Sequence, residues 1–145
     1  LLIKDIQNKT GGFTEVVPLP FVHMGSPIFL KGKSMPGPTW DEIVLMHALA
    51  RIYFFNTIEN IQASWVKLGH DGAKILLRSG VNDLGGTLIN ENISRASGAD
   101  HGQETTDKEF INLIKSANKN PYLRNTLYTS FKNLEDVGSQ NVIKI

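Results

Sequence analysis

The chain has 145 residues, 41% of them hydrophobic, with 15 Lys plus Arg against 14 Asp plus Glu, which suits one globular unit with a core and excludes a disordered chain. The charges are scattered, so neither a nucleic-acid footprint nor a membrane-binding patch is present; no apolar run nears the ~18 residues of a membrane span and no signal peptide opens the chain, so the expected address is the cytoplasm. The absence of cysteine excludes disulfides, thiolate zinc sites, a cysteine nucleophile and an iron–sulfur cluster ligated by this chain.

Leu2, Ile3 and Ile6 with a stop at Gly11-Gly12 read as the last turns of a helix. The chain opens inside that element and without Met, so the expectation is a fragment whose upstream part lies elsewhere. Phe13 to Val17 reads as a strand ended by Pro18 and Pro20, because proline cannot donate to a ladder. From Pro18 to Pro38 the chain is rich in Gly and Pro, a loop longer than the ~12 to 15 residues usual for a structureless connection and therefore of a functional kind. Thr39-Trp40-Asp41-Glu42 is a capping box, and it predicts a helix to about Phe54 with an apolar stripe of Ile43, Met46, Ala50 and Phe54, flanked by Leu49 and Tyr53.

Asn60 to Val66 alternates Ile61, Ala63 and Trp65 with Gln62, Ser64 and Val66, which predicts a strand with a partly polar face. Asp71 is placed to cap a short helix from Gly72 to Ser79, with Gly80 as its terminator, and Val81 to Leu84 reads as a further strand. A second long loop leads from Gly85-Gly86 to Thr105. Thr106-Asp107-Lys108-Glu109 is another capping box before the stripe Phe110, Ile111, Leu113, Ile114 and Ala117. Thr126 to Tyr128 suggests a weak strand. The sequence thus divides into residues 1–128, which carry recognisable units, and a tail, 129–145, without an assigned element.

Three strand-helix pairs with the longer loops after strands predict an α/β architecture of consecutive βα units in a parallel sheet or barrel. Ligands in such folds meet the carboxyl ends of the strands, which gathers Pro18 to Ser34, Lys67 to His70 and Gly85 to Gln103 on one rim. Gly32-Lys33-Ser34 is not a phosphate loop, since Pro27 stands where its first glycine belongs. The four His residues lack metal-ligand spacing, so no metal site is expected. His47, inside a helix, is expected to be structural, whereas His23 and His101 in the rim loops are equally suited to ligand contact. Paired glycines in Asn82-Asp83-Leu84-Gly85-Gly86-Thr87 allow close approach to backbone amid hydrogen-bonding side chains, although a tight βα turn capped by Asp83 uses the same residues. No residue is singled out as catalytic.

Gly12 to Phe21 (GFTEVVPLPF), Asn60 to Lys67 (NIQASWVK) and Asn82 to Arg95 (NDLGGTLINENISR), continued by Gly98-Ala99-Asp100-His101-Gly102-Gln103, carry a further signal. Together they resemble the C-terminal part of the radical S-adenosylmethionine FO synthase subunits, tyrosine-dependent 4-hydroxybenzyl transferases of deazaflavin cofactor biosynthesis. Related radical enzymes of the futalosine route to menaquinone share the gist of the second and third strings. The resemblance implies a partial TIM-type (βα) barrel holding the last three βα units, inactive alone and completed by a missing N-terminal half, in cis or as a separate chain. It implies S-adenosylmethionine and a 4Fe-4S cluster in the full-length parent, with the cluster bound by an upstream cysteine loop that this chain lacks. Its substrates would be tyrosine and 5-amino-6-(D-ribitylamino)uracil. By the same resemblance Glu15, Pro18 and Pro20 would shape the cofactor site, while Gln62, Ser64, Trp65, Asn82, Asp83, Gly86, Thr87, Glu91, Ser94, Arg95, His101 and Gln103 would face substrates. Arg95 suits a carboxylate through a bidentate pair. The alternatives are a radical enzyme of the futalosine menaquinone pathway, or a non-catalytic half-barrel that completes a split enzyme.

Overall fold

The computed structural model describes residues 2–87, 96 and 105–134. Among them the elements run α1 (Leu2–Thr10), α2 (Pro27–Leu30), α3 (Trp40–Tyr53), α4 (Trp65–Arg78), α5 (Asp107–Ser116), β1 (Tyr122–Arg124) and β2 (Phe131–Asn133). Both capping boxes form. Thr39 Oγ1 accepts from the amide of Glu42 at 3.4 Å while Glu42 accepts from the amide of Thr39 at 2.7 Å, and Thr106 with Glu109 repeats this at 3.3 and 2.7 Å. The backbone hydrogen bond from each capping threonine is the main cause that holds the Glu42 and Glu109 carboxyls below their ordinary range.

The three expected strands reduce to short bridged segments that lie side by side in one direction. Val16 bridges Ile61 and Gln62 bridges Asp83, both in parallel. The ladder bonds are Val16 N–H to Asn60 O and Gln62 N–H to Val16 O, each 2.9 Å, then Ala63 N–H to Asp83 O at 3.0 Å and Asn82 N–H to Ile61 O at 3.1 Å. Partners in a bridge share a face, and neighbours along the chain alternate. Val16 and Ile61 accordingly turn toward the helices, while Gln62 and Asp83 turn away from them, and Glu15 joins their face by alternation.

The core lies between these segments and helices α3, α4 and α5. Ile58, Ile61, Ala63, Trp65, Ala73, Leu76, Val81, Leu84, Leu113 and Ala117 are all buried there, and each large aliphatic side chain among them contributes about 1.5–3 kcal/mol by leaving water. Arg51 of α3 fastens the amino ends of two segments: its guanidinium donates to Gly80 O at 2.7 Å, Glu59 O at 2.5 Å and Asn82 Oδ1 at 2.6 Å. Burial pulls the Arg51 pKa below its ordinary value.

Several sequence expectations change in three dimensions. The Asn60 to Val66 strand ends early, because the chain turns into α4 at Trp65. Alternation misled there: Trp65 and Val66 are both buried in the first turn of a helix. That helix is broken at Gly69 (φ 67°, ψ 176°), a conformation suited to glycine, and Asp71 lies exposed inside it rather than at a cap. Gly80 (φ 110°) follows its last turn as expected. On α3 the inward residues are His47, Ala50 and, at the cap, Phe54, whereas Met46, Leu49 and Tyr53 are exposed. The helix is apolar on most sides, so periodicity could not select the buried one. The long loop from Pro18 to Pro38 contains the single turn α2. Thr126 to Tyr128 is a turn, flanked by antiparallel strands that pair Tyr122 with Asn133 and Arg124 with Phe131. Asn125 Oδ1 shapes that turn by accepting from the amides of Thr129 and Ser130 at 2.9 and 3.2 Å. No helix among the described residues is long and apolar enough to cross a membrane.

Candidate functional site

The face turned away from the helices carries three side chains from three segments, Glu15, Gln62 and Asp83. The hairpin β1–β2 folds back onto it. Arg124, from β1, donates to both oxygens of Asp83, Nε to Oδ2 at 2.5 Å and Nη2 to Oδ1 at 3.1 Å. Asp83 Oδ1 also accepts from the amide of Gly85 at 2.6 Å, so the buried carboxylate has charge-assisted partners on both oxygens. The hydrogen bond to Asp83 is the leading cause that lifts the Arg124 pKa above its ordinary value, and the guanidinium stays charged. Its Nη2 lies 3.7 Å from Glu15 Oε2. Tyr128, at the hairpin tip, donates its hydroxyl to that same Glu15 oxygen at 2.6 Å, and its ring lies under the guanidinium at 4.1 Å. Burial first, and then the hydrogen bond to Glu15, raise the Tyr128 phenol pKa well above the ordinary range.

Beside this cluster is a cleft of about 210 Å³ lined by Gln62, Ser64, Trp65, Val66, Leu84, Gly85 and Gly86. Trp65 forms its wall. The indole donates to Gly86 O at 3.2 Å and meets the Phe110 ring edge-on at 5.6 Å, a geometry favoured by the ring quadrupoles. Gly85 has φ 73°, a backbone conformation suited to glycine, and a Cβ there would lie 2.8 Å from Gln62 Nε2, so the end of that side chain would have to shift. Among the described residues nothing lies within 4 Å of a Cβ built on the exposed Gly86.

The structure therefore brings together Glu15, Gln62, Ser64, Trp65, Asp83 and Gly86. Thr87 is exposed just beyond Gly86, and Pro18 and Pro20 are half-buried after the first segment. Asn82 belongs to the other side. Its Oδ1 accepts from Arg51 and, at 2.8 Å, from the amide of Ile61, so it serves the strand–helix joint. It lines a wider cavity of about 600 Å³ with Arg51, Glu59 and Lys119; this lies at the amino ends of the segments, away from the end where βα folds bind ligands. Glu91, Ser94, Arg95, His101 and Gln103 lie outside the described residues.

The three described histidines, His23, His47 and His70, have structural partners. His23 Nδ1 accepts from the amide of Gly37 at 2.8 Å and its ring meets Phe29 edge-on at 4.7 Å, which pins the long loop. His47 is buried and its Nδ1–H donates to Ile43 O at 2.7 Å. His70 Nε2 pairs with Thr105 Oγ1 at 2.7 Å. Among the described residues no three His, Asp or Glu side chains gather as metal ligands.

Arg124 and Tyr128 were missed by sequence reasoning. The usable signal was Asn125 between Tyr-Leu-Arg and Phe-Lys-Asn, a turn former between two short runs that can pair.

Residues 10–137 match the family described as CofH/MqnC C-terminal region. The chain is 48% identical over 136 residues to the 5-amino-6-(D-ribitylamino)uracil–L-tyrosine 4-hydroxyphenyl transferase of Methanothermobacter thermautotrophicus, an overlap that covers 94% of this chain and 36% of the relative. It is 50% identical over 130 residues to the protein of the same name from Methanopyrus kandleri, covering 90% and 35%. Against the FO synthase of Mycobacterium leprae it is 47% identical over 127 residues, covering 88% and 15%. The chain thus spans about a third of the first two relatives (36% and 35%) and a smaller part of the third.

Proposed function

This chain belongs to the CofH/MqnC C-terminal region family, and from that membership we propose its function. It is the carboxyl-terminal portion of a radical S-adenosylmethionine transferase that moves the 4-hydroxybenzyl group of tyrosine to 5-amino-6-(D-ribitylamino)uracil. The observation that carries this reading is identity of 48–50% to two relatives named 5-amino-6-(D-ribitylamino)uracil–L-tyrosine 4-hydroxyphenyl transferase, sustained over at least 90% of the chain. Its fold in the whole enzyme is the end of a (βα) barrel; the parallel order of the Val16, Ile61–Gln62 and Asp83 segments, with helices on one face, supports this.

The radical chemistry comes from S-adenosylmethionine and a 4Fe-4S cluster in the complete enzyme. The cluster does not fit the residues of this chain, which offers no cysteine thiolate to hold it, and its ligands must come from the amino-terminal part. What this chain contributes is the substrate side. Gln62, Ser64 and the open backbone of Gly86 offer hydrogen bonds along the cleft, and Trp65 closes it against water. Asp83 and Glu15, with Arg124 between them, put two fixed carboxylates at the rim where a polar substrate is oriented.

The test is reconstitution. The chain joined to the amino-terminal part of the Methanothermobacter relative, loaded with iron, sulfide and S-adenosylmethionine under reductant, is expected to hydroxybenzylate the ribityl uracil at the expense of tyrosine. The chain alone should yield no product. Turnover without a partner chain, or transfer only when a futalosine derivative replaces the uracil, would overturn the assignment.

A further inference from the structure

The contact between Glu15, Arg124 and Tyr128 has a chemistry of its own. Recognition of a neutral phenol needs an acceptor for its hydroxyl and a favourable charge against its ring face. Glu15 Oε2 supplies the first at 2.6 Å and the Arg124 guanidinium the second at 4.1 Å from the ring centroid. Arg124 keeps its place without Tyr128, because Asp83 holds it through two hydrogen bonds, and the backbone that carries Glu15 is set by the bridge of the adjacent Val16.

Tyr128, by contrast, is held against its backbone preference. Its φ is 56°; the other non-glycine residues with positive φ among those described are Asn56 and Asn118, and asparagine tolerates the left-handed region where an aromatic residue does not. It also sits at the tip of a hairpin whose strands are three residues long, an element with little stability of its own. A strained side chain at the hairpin tip, seated against Glu15 and against an Arg124 that Asp83 anchors in β1 of the same hairpin, has the build of a removable plug.

We propose that Glu15 and Arg124 form a receptor for a 4-hydroxyphenyl group, and that Tyr128 is its intramolecular occupant, displaced when a free phenol-bearing ligand enters. Identifying that ligand with tyrosine rests on the function proposed above; the receptor itself rests on the geometry. The plug keeps the Glu15 carboxylate hydrogen-bonded until the ligand arrives, and the ligand takes over the same two contacts, hydroxyl to Glu15 and ring to Arg124.

The experiment is p-cresol binding to the 145-residue chain by calorimetry, with toluene as the analogue lacking the hydroxyl. Tyr128→Gly vacates the cradle and relaxes the positive φ, and Tyr128→Asn does the same with a residue suited to the turn. Either variant is expected to bind p-cresol at least about tenfold more tightly than the parent chain, and toluene no better than the parent, since one hydrogen bond to a charged acceptor is at stake. Adding Glu15→Gln or Arg124→Lys should abolish the gain. Equal p-cresol affinity in the parent and in both vacated variants, with hairpin amide signals intact, would overturn the proposal, as would a gain that survives Glu15→Gln. Loss of the transferase activity in the reconstitution above leaves this readout unchanged, so the two readings fail separately.

Discussion

Replacing Arg124 by Met keeps most of the side-chain stem and removes the charge that joins the hairpin to the bridged segments. Two charge-assisted hydrogen bonds to Asp83, at 2.5 and 3.1 Å, are lost, while the carboxylate keeps the amide of Gly85. Breaking a fully buried pair costs about 3–5 kcal/mol. Here the side chains of Arg124 and Asp83 are 21% and 7% exposed, so water recovers part of the loss and about 2–3 kcal/mol is expected. Urea unfolding followed by tryptophan fluorescence reads this, because Trp65 is buried beside the same segments. Amide exchange at Leu123 should speed up more than exchange in α4, since the hairpin has few other ties to the core. In the double variant Arg124→Met with Asp83→Asn, the cost should fall short of the sum by roughly 1.5 kcal/mol or more, as no unpaired charge remains. A single-variant cost under about 0.5 kcal/mol, or additivity within about 0.3 kcal/mol, would refute the view that this pair anchors the hairpin.

Gly85→Ala should cost about 1–2 kcal/mol, from the φ of 73° and the approach to Gln62 Nε2, whereas Gly86→Ala should stay within about 0.5 kcal/mol; equal costs in thermal unfolding would contradict the geometry. Thr106→Ala removes the acceptor for the Glu109 amide and should destabilise the chain by about 1 kcal/mol, visible as faster exchange in the first turn of α5 and unchanged exchange in α3. Tyr128 has a raised pKa in the fold, so the folded state binds its proton more tightly than the unfolded one. Its stabilising contribution is complete below the ordinary phenol value of about 10 and falls as pH rises above that value. The unfolding midpoint of the parent chain should therefore drop more steeply above about pH 10 than that of Tyr128→Phe, with parallel profiles below it; profiles parallel throughout would show that the phenol is not held as described.

Local chemistry was legible in the sequence wherever the signal was local. The threonine–glutamate capping boxes fixed the starts of α3 and α5, and the glycines after α1 and α4 marked their ends, because those groups bond within a few residues of themselves. The strings around Glu15, Gln62 and Asp83 carried the family, since side-chain identity at fixed spacing survives without coordinates. Alternation in Asn60 to Val66 could not tell a strand from a strand followed at once by a helix, as both bury Trp65. Periodicity in α3 could not choose an inner face on a helix that is apolar almost all round, and only packing against α4 and the bridged segments selected His47 and Ala50 over Met46 and Leu49. Asn82 and Asp83 looked equivalent as neighbours in one polar string, yet alternation about a parallel bridge sent one to Arg51 and the other to Arg124. The meeting of Tyr128 with Glu15 spans 113 positions of sequence, a separation at which nothing in the local pattern constrains either partner. Tertiary structure decides such contacts because they depend on where whole segments come to rest, and that is set by the burial of the core rather than by the residues that meet.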